Sequence, residues 1–311
     1  MILRELPDLP PRPPTPANAE FRRRFYERWG RENAVILFRA TNAEFPPYTQ
    51  TLSIKRAWGG REDYLFASRR LSVGDERVLI LNEGAHYGAR IASPTPVVSL
   101  GVFFRPGMAD EVAAAAALSA SALLDRESDL TRRACSFAEH LRPLDNRLDE
   151  ALTALRNAVC EGEDDEAWLE EQLQGLLWTM LEAEPGWLHR SQRLAGASRS
   201  AHTELLARID RATDFIVSCH AMPLCLEEIA VQARLSKYHL VRVFRQVHGI
   251  TPMAYLTQVR AATAARLISD TGLSIDEVAD LSGFGCRQTL FRQLRRRCGV
   301  GARALRHRAV G

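Results

Sequence analysis

Two short stretches carry side chains able to read the edges of a double helix. In the first, Tyr238, Val241, Arg242 and Arg245 follow Ser236 and Lys237 at spacings that gather them on one side of a helix. In the second, Arg287, Gln288, Thr289, Arg292 and Arg295 do the same. Arginine forks onto O6 and N7 of guanine and glutamine pairs bidentately with adenine, while Tyr or Val can touch a thymine methyl or a sugar. Arg242 is set to reach a base edge, and Arg245 lies nearer the backbone. The run Arg295, Arg296 and Arg297 is less specific, being either a solvated basic surface or a set of phosphate contacts.

Both stretches are second halves of one repeated pattern. LEEIAVQARLSKYHLVRVFRQVHGITP (residues 226–252) and IDEVADLSGFGCRQTLFRQLRRRCGVGA (residues 275–302) each run from an acidic, amphipathic helix start through a short break into an Arg-rich helix that ends at Gly. Leu240, Phe244, Arg245 and Gly249 fall on Leu290, Leu294, Arg295 and Gly299, each pair 50 residues apart. The pattern predicts helix-turn-helix units at about 224–249 and 274–299, whose second helices enter the major groove. Ser236 serves as N-cap in the first, Leu240, Val243, Phe244 and Val247 form its buried face, and Gly283-Phe284-Gly285 makes the turn of the second. Between them Pro252 precedes an amphipathic helix from Met253 to Ser269. At ~1.5 Å per residue it spans about 25 Å, enough to hold two recognition helices roughly one DNA turn (~34 Å) apart.

Charge follows the same division. Residues 205–311 hold 16 Lys+Arg against 8 Asp+Glu, and residues 1–204 hold 25 against 30, so a net +8 faces a net −5. A basic reader joined to an acidic partner domain fits this asymmetry. Lys55 and Lys237 are the only lysines, a bias that suits base and phosphate recognition and that a GC-rich coding sequence would also produce. The six cysteines form no CxxC pair and no Cys/His cluster at zinc spacing, which points to a reduced, cytoplasmic chain. The first 20 residues contain six prolines and no apolar core of a signal peptide, so an extended or disordered leader is expected there. Val112 to Leu124 is too short and alanine-rich to span a bilayer.

The first half reads as strands, then helices. AVILF, TQTLSIKRAW, DYLF, RVLILN, HYGARI and PVVSLGVFF, between Ala34 and Phe104, suggest a small sandwich or barrel. Met108–Leu124, Asn146–Cys160 and Asp165–Glu184 read as helices. In the last, Trp168, Leu169, Leu173, Leu176, Leu177, Met180 and Leu181 form an apolar stripe suited to core packing or to a dimer interface. Pro185-Gly186 is expected to stop that helix, and AGASRSA (residues 195–201) reads as a linker. The expected organisation is a leader (1–20), a β domain (21–107), a helical dimerisation segment (108–190), a linker (191–204) and the DNA-binding domain (205–311). A barrel mouth lined by aromatics would make a small-molecule pocket, with Trp58, Tyr64, Tyr87 and Phe103 as walls and Glu83 and His86 as polar groups, although each also suits a core or rim position.

From about Leu205 to Arg308 the chain resembles the AraC/XylS transcription regulators. The resemblance rests on SKYHLVRVFRQVHGITPMAYL, on Arg260 and Ala264, and on IDEVADLSGF. It implies two helix-turn-helix units joined by a long helix, with the positions of Tyr238, Val241, Arg242, Arg287, Gln288, Thr289 and Arg292 facing bases. Leu290 and Leu294 stand where the family usually has aromatics, and Gly301-Ala302 replaces the common Thr/Ser-Pro. The strands and helices before it resemble, more diffusely, a cupin-like sensor and dimerisation domain. The resulting expectation is an α+β chain: a cupin-like barrel or jelly roll with a helical segment, then an all-α reader. It would be a cytoplasmic homodimer that binds double-stranded promoter DNA under control of a small-molecule effector and meets RNA polymerase if it activates. No catalytic residue, cofactor, metal or membrane contact is expected. Competing readings are an effector-blind regulator, a redox-responsive one using Cys286, and a metal cupin enzyme. The enzyme lacks its ligands in the sequence, because His86 is the only histidine of the strand region. A DNA-repair methyltransferase needs an N-terminal zinc-bound cysteine cluster, and the first cysteine here is Cys135.

Overall fold

A computed structural model describes residues 1–5, 16–115, 136–191 and 199–298. The chain divides into two compact units, Met1–Trp187 and Leu188–Gly311. Architecture is α+β: among the described residues, all strands lie in the first unit and the second contains helices alone. The later part of the Met108–Leu124 helix, Cys135, AGAS at 195–198 and residues 299–311 lie outside the described residues.

In the first unit a sheet is built around two long strands, β2 (Ala34–Thr49) and β7 (His86–Phe103), which pair antiparallel from Ala34↔Phe103 to Thr49↔His86. β3 (Ser53–Trp58), β4 (Glu62–Leu65), β5 (Arg70–Val73), β6 (Arg77–Leu81) and β8 (Leu141–Pro143) complete it, with β1 (Ile2–Leu3) parallel on the β2 edge. The second half of β7 pairs with β3 and the first half with β4, so the ribbon belongs to two sub-sheets. β5 touches β3 and β6 as the sheet folds over. HYGARI and PVVSLGVFF are thus one strand rather than two. Ser93–Pro96 have no partner in β2, because the register jumps between Ala40 and Asn42, and this irregularity accommodates Pro94 and Pro96, which cannot donate to a ladder. AVILF likewise continues to Thr49, with Pro46-Pro47 inside a second register shift between Phe45 and Tyr48. Opposite that bulge a Cβ on Gly88 would come 2.8 Å from the Phe45 carbonyl, so the close approach requires glycine.

The leader reading needs correction. Ile2–Leu3 is a strand, and α1 (Pro16–Arg28) begins inside the expected leader, with proline at a helix start where its missing N–H costs nothing. α1 is held by Phe25, 2% exposed and stacked on Trp29, whose ring meets Phe103. Three further helices follow: α2, described at residues 108–115, α3 (Asn146–Glu161) and α4 (Glu166–Ser191). One face of the sheet, with Val35, Leu37, Leu52, Ile54, Leu100 and Val102, packs on Leu148, Leu152, Leu155 and Val159 of α3 and on Leu169, Leu173, Leu176, Leu177 and Met180 of α4. The apolar stripe of α4 is therefore core. α4 continues to Ser191, past the expected stop at Pro185-Gly186; a proline removes one backbone hydrogen bond, which bends a helix as readily as it ends one.

The second unit contains α5 (Arg199–Cys219), α6 (Leu226–Ala233), α7 (Lys237–His248), α8 (Pro252–Asp270), α9 (Ile275–Leu281) and α10 (Arg287–Cys298). α5 buries Leu206, Ile209, Ala212 and Ile216 and packs on α6, α7 and α8. α8 is the shared spine. Its Leu256 and Ala261 are buried in the half that contacts the first pair, and Ala264, Leu267 and Ile268 join Val278, Ala279, Leu290 and Leu294 of the second.

Candidate nucleic-acid interface

Each recognition helix is positioned by local signals at both ends. α6 starts with Cys225 N–H donating to Glu228, and it ends at Arg234, φ +52°, the one non-glycine with positive φ among the described residues. Three residues later α7 begins, capped by Ser236, whose Oγ accepts from His239 N–H at 3.3 Å. Gly249, φ +76°, closes α7, and Thr251 with Pro252 opens α8. In the second copy Ser274 and Glu277 form a reciprocal capping box. Gly283 and Gly285, at φ +80° and +70°, shape a longer break before α10. The two turns differ: residues 234–236 in one, residues 282–286 in the other.

The 50-residue register is realised in burial. Leu240 and Phe244 are fully buried, and so are Leu290 and Leu294. Leucine fills the family's aromatic positions without exposing the core. Val247, expected on the buried face of α7, is half-buried. The opposite faces point outward: Tyr238 is 88% exposed, Arg242 and Arg245 are exposed, and Val241 is half-buried. On α10 Arg287, Gln288, Arg292 and Arg295 are exposed and Thr289 is half-buried. Tyr238, Val241, Arg242 and Arg245 share one surface groove with Lys237 and Gln246, while Gln288, Arg292, Arg295 and Arg296 share another. Gln246 is the addition that sequence reasoning missed; it lies one turn beyond Arg242 and shares its exposed face.

Three expected contacts are already engaged within the chain. Ser236 Oγ is used as a cap. Lys237 Nζ is 2.5 Å from Glu227 Oε1, which holds the carboxyl below its usual range and the ammonium above its own. Arg287 Nε lies 3.3 Å from Asp276. In both copies the first residue of the recognition helix is therefore paired with an acid from the first turn of the preceding helix.

Arg260, at the middle of α8, ties the two helix-turn-helix elements of the second unit together. Its Nε donates to the His220 carbonyl and its Nη2 to that of Met222, both at 2.7 Å, and the His220 ring is 3.1 Å from Thr263 Oγ1. Gly283, in the turn of the second unit, rests on this point: a Cβ there would lie 2.4 Å from the His220 carbonyl oxygen and 2.9 Å from Arg260 Nε.

The expected effector residues separate into three groups. Tyr64, Tyr87 and Phe103 are buried together on the sheet face opposite the α3/α4 core, with Tyr64 and Tyr87 rings 5.7 Å apart. Trp58 is on the other face, between the guanidinium groups of Arg56 and Arg156. Glu83 is exposed in the β6–β7 connection and His86 is exposed at the start of β7, 3.3 Å from Thr49 Oγ1. The buried cluster contains groups that the sequence reading passed over. Lys55 and Glu62 are 2% and 3% exposed, and Glu62 Oε2 accepts from Ser99 Oγ at 2.6 Å and Tyr64 OH at 2.8 Å. Burial pushes the Glu62 carboxyl up and the Lys55 ammonium down, each in part offset by the other. The signal was a lysine in the middle of an apolar β run.

Residues 229–308 match the model of a helix-turn-helix domain family. The HTH-type transcriptional activator RhaS of Klebsiella pneumoniae is 34% identical over 90 residues, covering 28% of this chain and 32% of that protein. RhaS of Salmonella arizonae is 32% identical over 109 residues, 34% of this chain and 37% of its own length. Among solved structures, the DNA-binding domain of AdpA, a global transcriptional factor in complex with a target DNA, is 27% identical over 32% of this chain and 91% of that one, with a TM-score of 0.32. The chain spans about a third of the length of the curated relatives it matches. The second unit is a double helix-turn-helix domain of the AraC type. Over that domain the chain is similar to the AraC/XylS regulators.

Proposed function

We propose that the chain is a transcription regulator that binds double-stranded promoter DNA through α7 and α10. The observation that supports this most is the pair of outward faces, Tyr238/Arg242/Arg245 and Gln288/Arg292/Arg295, carried by helices with matching buried positions. α8, 19 residues long, gives about 28 Å of spine between them at ~1.5 Å per residue, which suits two successive major grooves read by one copy. Arg242 and Arg292 are assigned to base edges, Arg245 and Arg295 to the backbone. In this reading residues 205–311 are the reader, the folded sheet of the first unit is a cupin-like sensor for a small molecule, and the helices within 108–190 mediate a homodimer. A groove lined by Val112, Ala151, Leu155 and Trp178, outside the α4 core stripe, supports that last assignment. The relatives' description as activators favours contact with RNA polymerase. Among the described residues no helix is long and apolar enough to cross a membrane.

The test is sequence selection on random DNA at fixed salt. Arg242→Ala and Arg292→Ala are each expected to cost about 1–3 kcal/mol on the selected site and to relax preference at one position. Full affinity and unchanged selectivity in either variant would show that these helices do not read bases.

A further inference from the structure

The pairing of Lys237 with Glu227 and of Arg287 with Asp276 follows one plan in both copies. Each acid is the second residue of its helix, α6 or α9, and each cation is the first residue of α7 or α10. The acid that comes next has another task in both: Glu228 accepts from the Cys225 N–H and Glu277 from the Ser274 N–H, each at 2.8 Å. One carboxylate therefore caps the helix while its neighbour reaches across the turn to the recognition helix. The 50-residue register would set Glu277, not Asp276, opposite Glu227, so the cross-turn pair is kept even though the two turns differ in length.

The four side chains are 48–65% exposed, and pairs this exposed add little to folding. Their effect lies in the charge offered to a ligand. The start of a recognition helix is where backbone N–H groups and the helix dipole meet DNA phosphates. A cation at that point is shared between a phosphate and its own carboxylate, which are acceptors of one kind. Among the described residues, Arg242, Arg245, Arg292 and Arg295, further along the same helices, have no carboxylate partner.

We infer that Glu227 and Asp276 restrain binding to the DNA backbone: each holds the first cation of its recognition helix off the phosphates, which sets how tightly the chain grips any duplex without altering the sequence it prefers. This rests on the reading of α7 and α10 as DNA-binding helices.

The full chain is titrated with a duplex of mixed sequence and with the selected site over a range of salt. Glu227→Gln and Asp276→Asn are each expected to free one cation for a phosphate and to steepen the slope of log affinity against log salt by about 0.9, so that the gain over wild type falls about 3.5-fold between roughly 50 and 200 mM. The selected sequence stays the same in both. Glu228→Gln removes an equal charge from the adjacent position, keeps a cap acceptor and should leave the slope unaltered. Glu227→Gln combined with Lys237→Met should return to the wild-type slope, because the pair it removes is neutral. An unchanged slope in Glu227→Gln or Asp276→Asn, an equal steepening in Glu228→Gln, a double variant shallower than wild type, or an altered sequence preference would each overturn the assignment. Any of these in a chain that still selects DNA sinks this inference alone. A wild-type chain that binds neither duplex sinks the regulatory reading and this inference with it.

Discussion

Cys286 stands immediately before α10, its Sγ 3.2 Å from Thr289 Oγ1. Hydrogen bonds from the Thr289 side chain and backbone hold its thiol below the usual range, with smaller help from the Gln288 N–H and the charge of Arg292. Thiolate grows as pH rises through the pKa, so a lowered pKa makes this side chain reactive at a lower pH than an ordinary thiol. Iodoacetamide at neutral pH is therefore expected to label Cys286 ahead of Cys160, also exposed, and specific DNA should slow the labelling of Cys286 alone. Peptide mass spectrometry reads both sites; equal labelling with and without DNA would remove α10 from the interface. The same position favours a redox-responsive regulator as the second reading. At this scale the outward faces of the second unit were legible and the buried cluster of the first was not. Helical spacing fixes which side chains share the outward face with Arg242, and burial of Leu240 and Phe244 follows from the same period. Strand alternation separates Lys55 from Ile54 but does not say which face is covered by helices, so Trp58 was grouped with Tyr64 although they lie on opposite sides. Glu83 and His86 drew attention by type, while Glu62 depended on a long-range partner, Ser99, that no local pattern reveals.

The two helix-turn-helix elements are a pair only if their spacing is fixed, and Arg260 and Gly283 do this. Arg260 satisfies carbonyls beyond the end of α5, and the turn before α10 sits on one of them. Gly283→Ala would pay about 1–3 kcal/mol for its positive φ alone, before the clash with the His220 carbonyl is counted. It should lower unfolding stability by at least that amount in urea titration, and wild-type stability would show that the turn has room to move. Arg260→Ala leaves both outward faces intact. Its affinity for DNA containing one groove site should match the wild type, while its advantage on the two-groove site declines; equal loss on both would mean that Arg260 supports the fold and not the spacing. Element boundaries show the same division between legible and hidden. The caps at Ser236 and Ser274 are local and were readable, whereas β7 was split in two because Pro94 and Pro96 mimic a strand break, and the β7 bulge that admits them shows only in the register with β2.

At the scale of the molecule, the charge asymmetry assigns the two units different roles toward DNA. In the proposed regulator the net +8 of residues 205–311 would supply the sequence-independent attraction, and the net −5 of the remainder would oppose nonspecific adhesion of the first unit. Regulation requires something further, because an effector that binds DNA-competent and DNA-incompetent states equally shifts nothing. If an effector site in the first unit and the DNA faces are coupled, thermodynamic reciprocity makes the coupling measurable from either side, with the effector changing DNA affinity by the same factor as DNA changes effector affinity. Calorimetric titration of any metabolite that raises the melting temperature of the full chain, with and without a saturating selected site, is expected to give dissociation constants that differ by about five- to 150-fold. No stabilising metabolite, or identical affinities in the presence and absence of DNA, would leave the first unit without control of the second, and the effector-blind regulator, whose first unit serves assembly alone, would then be the better account.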